Sequence, residues 1–92
     1  MKYEIKFTSQ FKKDIKKAQK QNKDLDKLFE VVELLAKGEK LHPKHRDHTL
    51  SGNYKNIRDC HIESDWLLLY TYNKKTMILS LIRVGSHSEL FD

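Results

Sequence analysis

Tyr3, Ile5 and Phe7 alternate with Glu4 and Lys6, the two-residue period of a strand with one buried face. Thr8 or Ser9 then offers a helix cap, and Phe11, Ile15 and Ala18 recur at helical spacing in a helix that runs to about Asn22. A second helix follows: Asp24 caps it, Leu25, Leu28, Phe29, Val32, Leu35 and Ala36 mark one face, and Gly38 ends it. From Glu39 to Asn53 the chain holds Pro43, Gly52 and the histidines His42, His45 and His48 without any period, and reads as a long loop. Strands are predicted at about Tyr54 to Ile62, Trp66 to Tyr72 and Met77 to Val84, with Glu63-Ser64-Asp65 and Asn73 to Thr76 as turns. The order β-α-α-β-β-β predicts an α+β fold, with two helices packed on an antiparallel sheet of about four strands.

That connectivity says which side chains meet. If the strand ending at Ile62 runs up, the next runs down from Trp66 and the last runs up again to Val84. His61, Asp65, Trp66 and Arg83 then gather at one end of the sheet, and His87 and Phe91 on the C-terminal tail can fold over the same place. Connectivity does not bring His48 there. It precedes the predicted strand by a span of about 20 Å at most, less than such a strand rises, so it reaches the cluster only if the loop folds upward or the strand begins late.

A chain of 92 residues is expected to form one domain that buries roughly 65% of its unfolded surface, with no room for a separate cofactor domain. Its longest apolar stretches, such as Trp66 to Tyr72, fall short of the ~20 residues of a membrane helix, and its N-terminus lacks an apolar signal region. A soluble, cytoplasmic protein is expected. The lone Cys60 fits a reducing compartment and lies in a predicted strand, where a small packed side chain is its expected role. Lys and Arg total 18 against 13 Asp and Glu, a net charge of +5 that favours acidic partners. Lys12, Lys13, Lys16, Lys17 and Lys20 crowd the first helix and fan over an arc of roughly 140° opposite Phe11, Ile15 and Ala18. Each alone is an ordinary solvated side chain; together they form a face suited to sequence-independent phosphate contact.

The histidines change the picture from binding to chemistry. Histidine titrates nearest neutrality, so a pair can exchange a proton at pH 7, and an arginine fork suits phosphate oxygens. Arg83, among apolar strand residues, is expected to point into a cleft or to pair with a carboxylate such as Asp59 or Asp65. His87 follows Gly85 and Ser86 on what reads as a flexible exit, where a proton donor can approach a leaving oxygen. Phe91 either stacks on a base or packs at the core edge, and Trp66 is a candidate RNA contact or a packing residue. His42, His45 and His48 recur every three residues near His61, Glu63 and Asp65, but the spacing matches no strong zinc pattern and Pro43 interrupts it, so no metal site is expected. No phosphate-binding glycine loop and no Gly-x-Ser-x-Gly elbow is present.

The run from Asp47 to Tyr54, the run from Arg58 to Tyr70 and the ending Arg83-Val84-Gly85-Ser86-His87-Ser88-Glu89-Leu90-Phe91 together resemble the YafQ branch of the RelE/ParE toxin superfamily. Tyr54 stands where that branch often has tryptophan. The resemblance implies a bacterial toxin of a toxin–antitoxin pair that cleaves mRNA, typically on the ribosome, without metal or cofactor. It implies site residues His48, His61, Asp65 and His87, completed by Arg83 and Phe91. It also implies an antitoxin whose DNA-binding half represses the operon at its operator. RNA would supply its own 2′-hydroxyl nucleophile. His48 or Asp65 would be the base, His87 the acid, Arg83 would offset charge on the phosphorane, and His61 would orient its neighbours or share proton transfer. Phe91 and Trp66 would meet bases, while Lys12, Lys13 and Lys16 would hold ribosomal RNA. Two other readings of the same fold are a ParE-like toxin that binds a protein such as a DNA topoisomerase, and a non-catalytic RNA-binding module.

Overall fold

The computed structural model describes residues 2–52 and 56–91. Its elements are β1 (Glu4–Phe7), α1 (Ser9–Lys20), α2 (Leu25–Ala36), a 3-10 turn (Pro43–His45), β2 (His48–Thr49), β3 (Arg58–Glu63), β4 (Trp66–Asn73), β5 (Ile78–Gly85) and α3 (His87–Phe91). The α+β reading and both long helices agree with the sequence. The sheet is larger than expected and mixed: five strands in the order β1-β5-β4-β3-β2. β3, β4 and β5 are joined by short turns and therefore alternate in direction. β1 instead leaves through two helices, a connection long enough to allow its parallel pairing with β5, Glu4 opposite Ile78 and Phe7 opposite Leu81.

Two short elements hide inside the predicted long loop. Pro43–His45 forms a 3-10 turn with His42 at its N-cap, and His48–Thr49 forms an edge strand on β3. The predicted strand start at Tyr54, and the aromatic side chain there, lie outside the described residues.

Thr8 makes the join between sheet and helix. Its Oγ1 accepts from the Phe11 amide at 2.9 Å, satisfying an otherwise unpaired helix N–H, and donates to the Ile82 carbonyl at 2.6 Å. Asp24 caps α2 in the same way, accepting from the amides of Asp26 and Lys27. Gly38, at φ +76°, takes the left-handed conformation that ends that helix.

The helices cover one face of the sheet. Phe11 and Ala18 of α1 and Leu28, Val31, Val32, Leu35 and Ala36 of α2 pack on Cys60, Trp66, Leu68, Tyr70, Leu79 and Leu81. Phe29, expected on the buried face, is 48% exposed, and Val31 takes its place. Phe29 lies about 100° around the helix from Leu28, just past the edge of the buried arc, whereas Val31 lies about 60° away on the other side. The opposite sheet face holds a smaller cluster in which Leu67 and Leu69 meet Leu90 of α3, flanked by Leu50, Ile57, Ile82 and Phe91. β4 is thus covered on both faces, which explains its unbroken apolar run from Trp66 to Tyr70.

Thr8→Ala is expected to destabilise the fold by about 1.5–3 kcal/mol, through removal of the helix cap and of the hydrogen bond to β5. Thr8→Ser should keep most of this stability. Urea unfolding of the two variants against wild type checks both.

Candidate active site

His87 is held by a helix that the sequence presents as a flexible tail. Ser86 and Glu89 form a capping box: the Glu89 amide donates to Ser86 Oγ at 3.2 Å and the Ser86 amide donates to Glu89 Oε1 at 2.8 Å. The run Ser86-His87-Ser88-Glu89 is the sequence signature of such a box. Gly85 allows the close approach, since a Cβ there would meet Glu89 Cβ and Leu90 Cδ2 at 3.3 Å. Asp65, from the β3–β4 turn, reaches over to the start of α3. Its Oδ1 accepts from the His87 backbone amide at 2.9 Å and faces His87 Nδ1 at 2.6 Å. These two contacts hold the Asp65 carboxyl below its ordinary range, the backbone amide contributing most. A carboxylate only accepts, so Nδ1 carries a proton and Nε2 is the nitrogen left for substrate.

His48 is reached by the late start of the strand. β3 begins at Arg58, and β2 pairs with it so that His48 stands opposite Asp59 and Thr49 opposite Arg58. The segment before β2 is clamped. Asp47 Oδ2 takes Arg58 Nη2 at 3.1 Å, Asp47 Oδ1 accepts from the Tyr70 hydroxyl, and Arg58 also donates to Tyr70 and Thr49. The Asp47 contact pushes the Arg58 guanidinium above its ordinary value, and burial pushes the Tyr70 phenol up, so neither changes charge near neutrality. The His48 ring then places Nδ1 2.7 Å from the Arg46 carbonyl. A carbonyl accepts only, so this proton too sits on Nδ1, and Nε2 holds the lone pair.

His61 lies on β3 two residues beyond Asp59 and thus on the same sheet face. Its ring meets that of His87 edge to face, centroids 5.5 Å apart, and His87 lies 6.5 Å from Phe91. Phe91 is half-buried against the Leu67–Leu69–Leu90 cluster. From His61 an open groove of about 740 Å³ runs toward α2 past His42, Lys44, His45 and Arg46.

Two expected site residues sit differently from their reading. Trp66 is 2% exposed in the helix-side core, with Lys23 Nζ 6.0 Å from its ring centroid, and offers no face to a base. It starts β4 with its side chain turned toward the helices, so the packing alternative holds. Arg83 pairs with a carboxylate, but neither Asp59 nor Asp65. Its Nε and Nη2 meet Asp14 of α1 at 3.1 and 3.0 Å, and Nη1 lies 3.4 Å from the Glu89 carbonyl. Asp14 also accepts from the Val84 amide at 3.1 Å. Sequence reasoning missed Asp14; its signal was an acidic residue between Phe11 and Ile15 on the buried side of a lysine-rich helix. Lys12, Lys13 and Lys16 are exposed, as expected. Cys60 is fully buried, and burial pushes its thiol far up.

Among the described residues no three His, Cys, Asp or Glu side chains are arranged to hold a metal ion. His48 and His87 each commit Nδ1 to a protein oxygen, so they present single nitrogens from separate elements.

The sheet order and the helix pair on one face define a small α+β domain with a histidine–carboxylate cluster at the sheet end. The chain belongs to the YafQ family, described as bacterial toxin of type II toxin–antitoxin system, which it matches over residues 3–92. It is 39% identical over 89 residues to the mRNA interferase toxin YafQ of Escherichia coli (strain K12), covering 96% of this chain and 95% of that one. Among solved structures it is similar to the metal-bound toxin from Helicobacter pylori, with 44% identity, a TM-score of 0.92 and coverage of 99% and 100% of the two chains. It is also similar in fold to the toxin chain of the E. coli DinJ-YafQ toxin–antitoxin complex, with 36% identity, a TM-score of 0.90 and full coverage of both chains.

The Glu89 carboxyl, held chiefly by Lys17 and next by the Ser86 amide, is lowered to about 2 from an ordinary 4.5. A carboxyl depressed on folding stabilises the fold above its unfolded value, and that contribution is lost as pH falls through the folded one. The docking of α3 is therefore expected to weaken between about pH 4.5 and 2. Lys17→Ala should move the onset to higher pH, as read from the Leu90 methyl signals by NMR.

Proposed function

We propose that this chain is an mRNA interferase, an endoribonuclease that cuts mRNA on the translating ribosome in the cytoplasm. It is paired with a cognate antitoxin that neutralises it and carries the complex to operator DNA. The observation that carries this reading is the matched pair of backed histidines. His48 and His87 each have Nδ1 held by a protein oxygen, leaving one Nε2 to take a proton and another to give one.

RNA brings its own nucleophile, so neither a metal-bound water nor a protein nucleophile is required. His48 Nε2 removes the 2′-hydroxyl proton. The 2′-oxygen forms a bond to the adjacent phosphorus, and the bond from phosphorus to the 5′-oxygen breaks. His87, entering protonated, gives its Nε2 proton to that leaving oxygen. The products are a 2′,3′-cyclic phosphate and a 5′-hydroxyl. Asp65, accepting from His87 at two points, is assigned to holding the acid in place, and the base role is given to His48. His61, edge-on to His87, orients it and shares proton transfer. Arg83 shares its charge with Asp14, so its help to the phosphorane is smaller than that of an unpaired arginine. Phe91 lies close enough to His87 to stack a base displaced beside the scissile phosphate.

Purified protein is expected to cut a defined mRNA in the presence of Mg²⁺-assembled ribosomes, leaving a 2′,3′-cyclic phosphate or 3′-phosphate end. His87→Ala should lower the rate about 10²–10⁴-fold without unfolding the protein. No cutting by folded wild type, with or without ribosomes, would sink the nuclease reading in favour of a protein-binding toxin. A change in RNA affinity without any change in rate for His87→Ala would leave only a binding module.

Reversing the charge of Lys12, Lys13 and Lys16 to Glu should weaken ribosome binding and flatten its salt dependence, by roughly one unit of slope for each phosphate that is no longer neutralised. Unchanged affinity in a salt titration would remove α1 from the interface.

A further inference from the structure

A buried acid stands beneath the histidines without any part in the reaction described above. Asp59, on β3, is 3% exposed. Its Oδ1 is buried and accepts no hydrogen bond, yet lies 3.2 Å from His48 Nδ1. A carboxylate buried without a hydrogen bond costs the fold stability and calls for a reason. The register supplies one. Asp59 is directly opposite His48 and two residues before His61, so it shares their sheet face at the centre of the cluster.

We infer that Asp59 is a positioning residue for the reaction proposed above: its buried carboxylate pairs with the positive charge that appears on the His48 ring when Nε2 takes the 2′-hydroxyl proton. In the resting state the Nδ1 proton points to the Arg46 carbonyl, 2.7 Å away, and the carboxylate meets the same nitrogen from a second side. Two protein groups thus divide what one aspartate does in a serine-protease triad. The Arg46 carbonyl fixes the tautomer, and Asp59 compensates the imidazolium. No atom moves between Asp59 and the ring; the proton stays on His48 until it is returned to solvent or passed on.

The electrostatics around Asp59 agree with this division. Burial pushes its carboxyl above the ordinary 3.8, and the charges of His48, His61 and His87 pull it back, while Asp47 pushes it up further. A carboxyl raised on folding favours the fold below its unfolded value, and that contribution is lost as pH rises through the folded one. Ionised Asp59 therefore weakens the fold at neutral pH, so its charge serves something other than stability.

The role follows from the cleavage reading, and the test separates the two. In single-turnover cleavage of ribosome-bound mRNA at saturating protein, Asp59→Asn is expected to slow the reaction about 10- to 100-fold. This is less than the ~10⁴-fold drop for a triad aspartate, because the Arg46 carbonyl still holds the tautomer. Ribosome affinity should be unchanged, and the variant should melt at the same temperature as wild type or higher. In a His48→Ala background the same substitution should cost nothing further. An equal loss with and without His48, an unchanged rate, or a lowered melting temperature that accounts for the slower rate would each overturn the role. A second readout needs no activity: the Asp59 carboxyl, followed by ¹³C NMR, should titrate at higher pH in His48→Ala than in wild type. An unmoved midpoint would show that ring and carboxylate are not paired. If wild type itself cuts no RNA, the cleavage reading fails and the catalytic role falls with it, while the titration still reports the pairing.

Discussion

Asp14 is the interaction on which the site's geometry rests. A carboxylate this buried is stable only when its charge and lone pairs are met, and α1 delivers it to the end of β5, where Arg83 gives two hydrogen bonds and the Val84 amide a third. That contact fixes α1 against the strand whose next residues leave the sheet. Lys17, one helical turn on, then pairs with Glu89, and Glu89 closes the capping box that starts α3 at His87. The position of His87 thus traces back through two ion pairs to a helix far away in sequence. Removing the Asp14 carboxylate would leave the half-buried Arg83 charge without its carboxylate, destabilise the contact and release the exit of β5.

On the other side of the cluster a second acid plays a comparable part. Asp47 joins Arg58 and Tyr70 and so presses the chain onto β3 just before His48. The two histidines given the proton-transfer roles are therefore placed from opposite directions, one by an edge strand and one by a capped helix. β4, covered by side chains on both faces, and β3, packed on its helix side, form the floor between them. Both rings are 54% exposed even so. Acid–base groups on separate exposed segments need such anchors, because a misplacement of about 1 Å is enough to cost roughly 10²-fold in rate.

Much of this is legible from local pattern and connectivity. The alternation in β1, the capped helices and the three-strand meander follow from periods of 2 and 3.6, and antiparallel turns alone bring His61 and Asp65 to one end of the sheet. What escapes has physical reasons. A two-residue strand such as β2 has no period to read, and its register depends on the Asp47 clamp. The parallel pairing of β1 with β5 is set by packing of the helices rather than by any turn. The partner of Arg83 lies 69 residues away, and nothing local distinguishes Asp14 from Asp59 or Asp65 as its acceptor. Trp66 and Phe29 escape a pattern reading because a strand end and a helix-face edge each leave the side chain's direction to tertiary packing. Only α3 carries a local signature that periodicity overlooks, the serine-to-glutamate capping box.

The openness of the cluster bears on how such a site would work. Side chains half in water interact through a high dielectric, where a charge pair at 4 Å is worth about 1 kcal/mol, against about 4 kcal/mol at the effective dielectric of a protein surface. Acid–base catalysis by exposed histidines therefore gains most when another surface covers them and expels water. Among the described residues none forms a lid: the elements around His48 and His87 are those that hold the rings, and the groove beside His61 is open. On the proposed reading the covering surface belongs to the ribosome, which would close over the scissile phosphate and strengthen the Asp59–His48 and Asp65–His87 contacts at the moment charge develops. Under that arrangement the protein brings positioned proton carriers, and the complex completes the environment in which they act.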